Sequence, residues 1–312
     1  MRRWKLALAP GVAVVLGASL WGLGTAGQHA TAGQRATAGQ RATAGQRATP
    51  TAPATTAVAP SLSAQQAARA GAPDSGSGQD SPGARRSLKL DANFPGSRLN
   101  TSVWSTCYPW MDRRSGCTNF GNTEFEWYLP AQDRVSGGDL RLVAKRTPTE
   151  GRTRHGAVAE YACRSGMVTT YPGLRFRYGY VEVVARIPAA AGLWPALWLA
   201  AADFRWPPEI DMMERWGKTA TFAASFHPVG APVRTTRSRF SPGWHAFSLS
   251  WTRSQLTWYV DGRKILTVRQ RIPHQRMYLI ADLAEAKYPK TAAQCRGTML
   301  IRSVKVWKNR AS

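Results

Sequence analysis

Carboxylates are scarce in this chain of 312 residues, which carries 42 Lys and Arg against 18 Asp and Glu. Three of the 18 nevertheless fall within six positions, Glu209, Asp211 and Glu214, in the stretch PPEIDMMERWG flanked by Trp206 and Trp216. In a β-strand Glu209 and Asp211, two apart, point to one face, whereas Glu214, an odd number of positions from Glu209, points to the other. One β-bulge removes the conflict by shifting the alternation, so all three line one face. The two Glu backbones are then about four strand rises, or roughly 13 Å, apart. Side chains inclined towards each other bring their carboxyls to about 5–5.5 Å, the spacing of a retaining glycosidase; an inverting pair needs roughly 6.5–9.5 Å to admit a water. Like charges this close do not all ionise, which yields one ionised nucleophile and one protonated acid with the central Asp coupling them. A solvated acidic face and a metal site are the competing readings, but three carboxylates on a bulged strand between tryptophans make a poor cation cage.

Positioning such residues requires a strand framework, and the chain has one. Apolar runs at Leu140 to Ala144, Tyr180 to Ile187, Ala196 to Ala200, Ala246 to Trp251, Leu256 to Val260, Met277 to Leu283 and Met299 to Trp307 are separated by turn residues. Val181 to Ile187 and Ser303 to Trp307 alternate with a period of two, the mark of strands with one buried face. Val260-Asp-Gly-Arg263 reads as a hairpin turn in which Gly262 takes a positive φ. No stretch of ordinary helical length shows a 3.6-residue apolar stripe. Strands without crossover helices predict an all-β antiparallel sandwich.

The rest of the chain is organised around that domain. Met-Arg-Arg-Trp-Lys, an uncharged run from Leu6 to Leu23 and small residues at Gly24 to Ala26 predict a secretion signal over 1–26. The run is also about long enough to persist as an uncleaved anchor. A repeat, Thr-Ala-Gly-Gln-(His/Arg)-Ala, starts at Thr25, Thr31, Thr37 and Thr43, and Pro-, Ala-, Ser- and Gly-rich sequence follows. With almost nothing large and apolar to bury, 27–86 is expected to be a disordered linker, leaving 87–312 as the folded domain. Its Cys107, Cys117, Cys163 and Cys295 imply disulfides in an oxidising compartment, with three pairings open. From Arg85 onward 35 basic and 16 acidic residues remain. Such charge favours nonspecific adhesion to anionic cell-wall polymers, or serves solubility alone; no recognition motif for specific nucleic-acid binding accompanies it.

Glu209-Ile-Asp-Met-Met-Glu214 resembles the Glu-x-Asp-x-x-Glu motif of glycoside hydrolase family 16, laminarinase-like branch. Asn122 to Tyr128, Ser165-Gly166, Tyr178 to Pro188 and Gly192 to Leu199 follow the family's order upstream. Trp244-His-Ala-Phe, Trp251, Trp258 to Gly262 and Val304 to Trp307 continue it downstream. The resemblance, over Leu88 to Trp307, implies a β-jelly roll of two antiparallel sheets with an open concave cleft. It implies Glu209 as nucleophile, Glu214 as acid/base and Asp211 as the assisting residue. It further implies Asn122, Trp194, Trp206 and His227 as sugar-binding residues, and Glu124 as a sugar contact or an organiser of neighbouring loops; Trp198, Trp251 and Trp258 are expected in the core.

The chain departs from the family pattern at Met167, where many relatives have Arg, and at Asp282, where the usual residue is Asn. Asn93 and Arg302 stand where many relatives hold a structural calcium, and arginine does not ligate a cation, so no metal is expected. No cofactor is needed either, since two carboxyls suffice. The resulting expectation is a secreted, monomeric, retaining endo-hydrolase of β-1,3- or β-1,3/1,4-glucan. The alternatives are a hydrolase or transglycosylase of an acidic or galactose-based polysaccharide, and a non-catalytic carbohydrate-binding protein.

Overall fold

A computed structural model of the protein describes residues 86–111, 116–120, 122, 124–285 and 295–309. The expected signal peptide and linker lie outside these residues, except for Arg86. All described residues belong to the compact unit Gly76–Ser312.

In chain order the first strands are β1 (Arg86–Asn93), β2 (Glu126–Tyr128), β3 (Asp133–Ser136), β4 (Asp139–Lys145), β5 (Thr149–Arg152) and β6 (Val158–Tyr161). Next come β7 (Cys163–Ser165), β8 (Met167–Thr169), β9 (Gly179–Arg186), β10 (Leu193–Ala201), β11 (Glu209–Glu214) and β12 (Thr221–His227). The last are β13 (Arg234–Arg239), β14 (Trp244–Trp251), β15 (Leu256–Val260), β16 (Arg263–Val268), β17 (Met277–Glu285) and β18 (Arg296–Asn309). Every apolar run read as a strand falls in one of these, apart from Ile187, one residue past the end of β9. Among the described residues the sole helical turn is a single 3-10 turn at Pro130–Gln132.

Two sheets stack, as the jelly-roll expectation requires. The larger runs β16-β15-β14-β9-β18-β4-β7-β2, with β1 beside β18 and β3 beside β4. The smaller runs β13-β12-β11-β10-β17-β8, so β13 and β8 are its edges and β11 is internal. Pairing is antiparallel throughout, apart from β2 with β7. Short turns enforce this: β15 and β16 are joined by Asp261 and Gly262, at φ 50° and 75°. Positive φ at both central residues gives the twist that a two-residue hairpin needs, and Asp and Gly tolerate it.

Alternation builds the core. On β9 Val181, Val183 and Ala185 turn inward, and on β18 Val304 and Val306 do the same. They meet Leu197, Leu199, Ile210, Met212, Met213 and Phe226 from the smaller sheet in one apolar cluster. Trp251 and Trp258 are fully buried there, as expected. Trp198 is buried too, but in a second cluster with Tyr108, Tyr128, Met167 and Tyr278. Its burial agrees with the core role expected of it, and its register partners, Asp211 and Ile280, place it on the sheet face opposite the sandwich interior. The cysteines pair Cys107–Cys117 and Cys163–Cys295, spanning 10 and 132 residues.

The Trp258 side chain crosses the sandwich to reach the backbone of β11: its Nε1 donates to the Asp211 carbonyl at 2.8 Å. That carbonyl lies where β11 leaves regular pairing with β12, and a buried carbonyl without a donor is costly. Trp258→Phe keeps most of the ring but removes the N–H. It is expected to cost roughly 1–3 kcal/mol, read as a lowered urea midpoint with an unchanged m-value; a wild-type midpoint would show that the bond contributes nothing.

Candidate active site

The bulge inferred from the odd spacing is present. Against β10, Met213 pairs with Leu197 and Asp211 with Trp198, leaving Met212 unpaired. Against β12 the register slips between Asp211 and Glu214. Met212 and Met213 are consecutive yet both buried in the core, which two adjacent residues of a regular strand cannot do. Glu209 and Glu214 face Ala200 and Ala196, four residues apart on β10. Their backbones are thus about four strand rises, or roughly 13 Å, apart.

Register extends this into rows across the smaller sheet. Arg237, Ala223, Glu214, Ala196, Asp282 and Met167 form one row, and Thr235, Ser225, Asp211, Trp198, Ile280 and Thr169 the next. His227 stands beside Glu209 in a third. The small residues Ala196, Ala200 and Ala223 on the flanking strands leave room above the sheet. Asn122, Glu124, Trp194 and Trp198 join Glu209, Asp211, Glu214 and Asp282 around one concavity.

Donors within the site are distributed unevenly. Trp194 Nε1 donates to Glu214 Oε1 at 3.1 Å and its ring lies 5.7 Å from that of Trp216. His227 Nε2 is 3.6 Å from Glu209 Oε1 and 3.1 Å from Asp211 Oδ2. The second approach lacks hydrogen-bond alignment, since Asp211 Oδ2 is buried without a partner. The Trp206 side chain adjoins the Glu209 carboxyl and favours its anion. Its ring is 68% exposed and 6.0 Å from that of His227, so a large apolar face is presented to solvent beside Glu209. Asn122 is exposed and donates to Glu124 Oε1 at 3.1 Å. All seven residues expected at the site therefore stand in or beside this cluster.

Burial raises the proton affinity of every carboxyl here. Glu209 and Glu214 are pushed well above the usual carboxylate range by desolvation first and the charge of Asp211 second. Asp211 is pushed up to about 8, by desolvation and then by Asp282. His227, Trp194 and Arg237 oppose the rise at Glu214, and His227 and Trp206 oppose it at Glu209. A group of this kind holds fewer charges than carboxyls at neutral pH, so protons are available for transfer.

Beneath these three lies a second acidic layer that the sequence reading did not resolve. Asp282 accepts from Trp198 Nε1 at 2.6 Å and from the Tyr128 hydroxyl at 3.3 Å. Glu124, read as a sugar contact or an organiser of neighbouring loops, also accepts from Tyr128 at 3.1 Å and Tyr108 at 3.4 Å. Glu126 is fully buried and accepts the backbone N–H of Glu285. The signal for Glu124 and Glu126 was their alternation in TEFEWY, which places both on one side of a short strand; the tyrosines carried no signal at all. Arg302, at the position tied to calcium in relatives, lies 3.3 Å from Asp139 and over the Trp244 ring at 3.8 Å.

Two groups of described residues have ligating atoms close enough to surround a cation. In Cys163, Glu285 and Cys295 the sulfurs are committed to a disulfide. The other is Glu209, Asp211 and His227, with atoms within 4.8 Å of one another. These are the residues able to hold a metal, and two of them, Glu209 and Asp211, are among the three carboxylates the acid/base reading requires.

A two-sheet jelly roll with a bulged internal strand carrying three carboxylates defines a class of carbohydrate-active proteins, and comparison with known proteins agrees. Residues 130–302 match the model of "Glycosyl hydrolases family 16", and the chain belongs to that family. The endo-1,3-1,4-beta-glycanase EglC of Rhizobium meliloti (strain 1021) is 32% identical over 202 residues, 59% of this chain and 42% of that protein. A beta-glucanase of Rhodothermus marinus is 30% identical over 185 residues, 52% of this chain and 59% of its own. The chain thus spans less than two thirds of these relatives. The laminarinase catalytic domain of Thermotoga maritima MSB8 shares the fold, with a TM-score of 0.62 and 23% identity over 72% of this chain and 99% of that one.

The buried Asp282 yields a test of the electrostatics. Desolvation and then Glu124 raise its proton affinity well above that of the unfolded chain. Between the unfolded value near 4 and the higher folded one, the folded state binds more protons, so stability is lost as pH rises. Asp282→Asn keeps an acceptor for Trp198 and removes the charge. The variant is expected to gain melting temperature relative to wild type at pH 8 but not at pH 4.5; parallel melting curves at both pH values would remove Asp282 as the source.

Proposed function

We propose that this protein is a retaining endo-hydrolase of β-1,3- or mixed β-1,3/1,4-glucan, secreted and acting as a monomer. The observation that carries the reading is the bulge at Met212, which brings Glu209, Asp211 and Glu214 to one face of β11 with the two Glu backbones about four strand rises apart. The relatives' names supply the substrate class.

The division of labour follows from the place of His227. It lies within ion-pair distance of Glu209, at 3.6 Å, and not of Glu214, so Glu209 is the nucleophile, as its position in the Glu-x-Asp-x-x-Glu motif also indicates. Glu214 is farther from His227 and keeps its proton. It gives that proton to the leaving glycosidic oxygen as a Glu209 oxygen attacks the anomeric carbon, breaking the C–O bond and forming a glycosyl ester. Glu214, now ionised, takes a proton from water, whose oxygen attacks the same carbon and releases Glu209. Two inversions retain configuration. Asp211, between the two, holds a proton near neutral pH and stops three charges from accumulating. Trp194 and Trp206 offer ring faces to the apolar sides of pyranose units, and Asn122 offers a polar contact.

Rescue chemistry separates the two roles. Glu214→Ala in azide is expected to turn over an activated aryl β-glucoside to the β-glycosyl azide, because the ester still forms and azide replaces the base-assisted water. Glu209→Ala should give the α-azide by direct displacement. Each variant alone should lose at least about a thousandfold in kcat on polysaccharide. Azide products of the reverse configuration would exchange the roles, and polysaccharide cleavage unaffected by either substitution would sink the reading.

A further inference from the structure

Four connections meet at the end of the sandwich where β11 begins: the Pro207-Pro208 step, the β12–β13 loop, the β14–β15 turn and the β16–β17 loop. Together they line a cavity of about 520 Å³, within the range of small-ligand sites. Pro208, Val229 and Ile272 contribute aliphatic surface, and Arg253, Arg269 and Arg271 contribute three guanidinium groups. No Asp or Glu lines it. Among the described residues none of the three arginines takes part in an ion pair, so their charge is uncompensated. Arg271 has φ 57°, a conformation in which a non-glycine residue is uncommon and which gathers at ligand sites. Guanidinium forks match carboxylates bidentately.

Pro208, which lines the cavity, immediately precedes Glu209, which lines the concave face. We propose that it is an accessory site for a carboxylate-bearing sugar residue of a polysaccharide whose neutral backbone occupies the cleft. This rests on the cleft's holding a polysaccharide. A single-stranded nucleic acid fits less well: it needs base-stacking platforms, and no Trp, Tyr or Phe lines the cavity.

The test uses the full chain carrying Arg253→Gln, Arg269→Gln and Arg271→Gln together. All three side chains are exposed, and a thermal melt checks folding. A control removes equal charge from other exposed positions, Lys89→Gln, Arg98→Gln and Arg154→Gln. Native electrophoresis is run in gels holding mixed-linkage β-glucan or the same glucan partly carboxymethylated. Retardation by the carboxymethylated polymer is expected to weaken roughly tenfold in the cavity variant and less than about twofold in the control, with retardation by neutral glucan unchanged. Equal weakening in the control, or none in the cavity variant, overturns the proposal. A thymidine oligonucleotide that displaces the carboxymethylated polymer from wild type, and binds the cavity variant as weakly as that polymer does, overturns it in favour of a nucleic-acid site. The expected electrophoretic pattern in a protein that cleaves neither glucan would leave this site standing while the hydrolase reading fails.

Discussion

Everything in the site depends on one residue too many in one strand. Without Met212 as an unpaired insertion, β11 would alternate strictly and Glu214 would be driven into the apolar interior while Glu209 and Asp211 faced the cleft. A lone ionised carboxylate there would be expelled or neutralised, so the bulge both assembles the site and keeps the core dry. The cost is a local break in the ladder. It is met from the other sheet, because Trp258 spans the interior to the Asp211 carbonyl while Met212 and Met213 fill the space beneath with unbranched side chains that suit an irregular gap.

A second constraint is the depth of the acidic layer. Asp282, Glu124 and Glu126 lie beside the three carboxyls of β11, each raised by its own burial; neighbouring carboxyls add to the rise at Asp282 and Glu126, whereas hydrogen bonds oppose it at Glu124. Ionising all of them would cost more than hydrogen bonds from two indoles, two tyrosines and two amides could recover. The cluster is therefore a store of protons held in a fixed geometry, and its hydrogen-bond donors, rather than its acids, decide where charge resides. This is why the aromatic residues around the site matter as much for their N–H and O–H groups as for their ring faces.

The sequence was most informative where periodicity is broken locally. The odd spacing of Glu209 and Glu214 contained the bulge, and Val260-Asp-Gly-Arg263 contained its hairpin, because both follow from chain geometry over a few residues. Alternation likewise gave the strands that face one another across the interior. It was least informative where contact is made by residues distant in the chain. Trp198 has the composition of a core residue and is buried, yet it belongs to the layer behind the carboxylates, because the face a residue takes on β10 is set by its register with β11 and β17. Tyr108 and Tyr128 reach Glu124 across separations of 16 and 4 residues, and Tyr128 reaches Asp282 across 154; nothing local distinguishes them from other buried tyrosines. The choice among three cysteine pairings was open for the same reason.

The smaller sheet ends at β13, and that strand has the sequence Arg-Thr-Thr-Arg-Ser-Arg with its three guanidinium-bearing residues exposed. A strand with one side unpaired is a template on which a second chain can lay down its own backbone. Here a second copy approaching edge to edge would set three cations against three cations, with no acidic residue on either strand to neutralise them. Charge thus ends the sheet at six strands where backbone chemistry would allow a seventh. The row running from Arg237 through Glu214 to Asp282 ends at this edge strand, with Arg237 exposed at its β13 end.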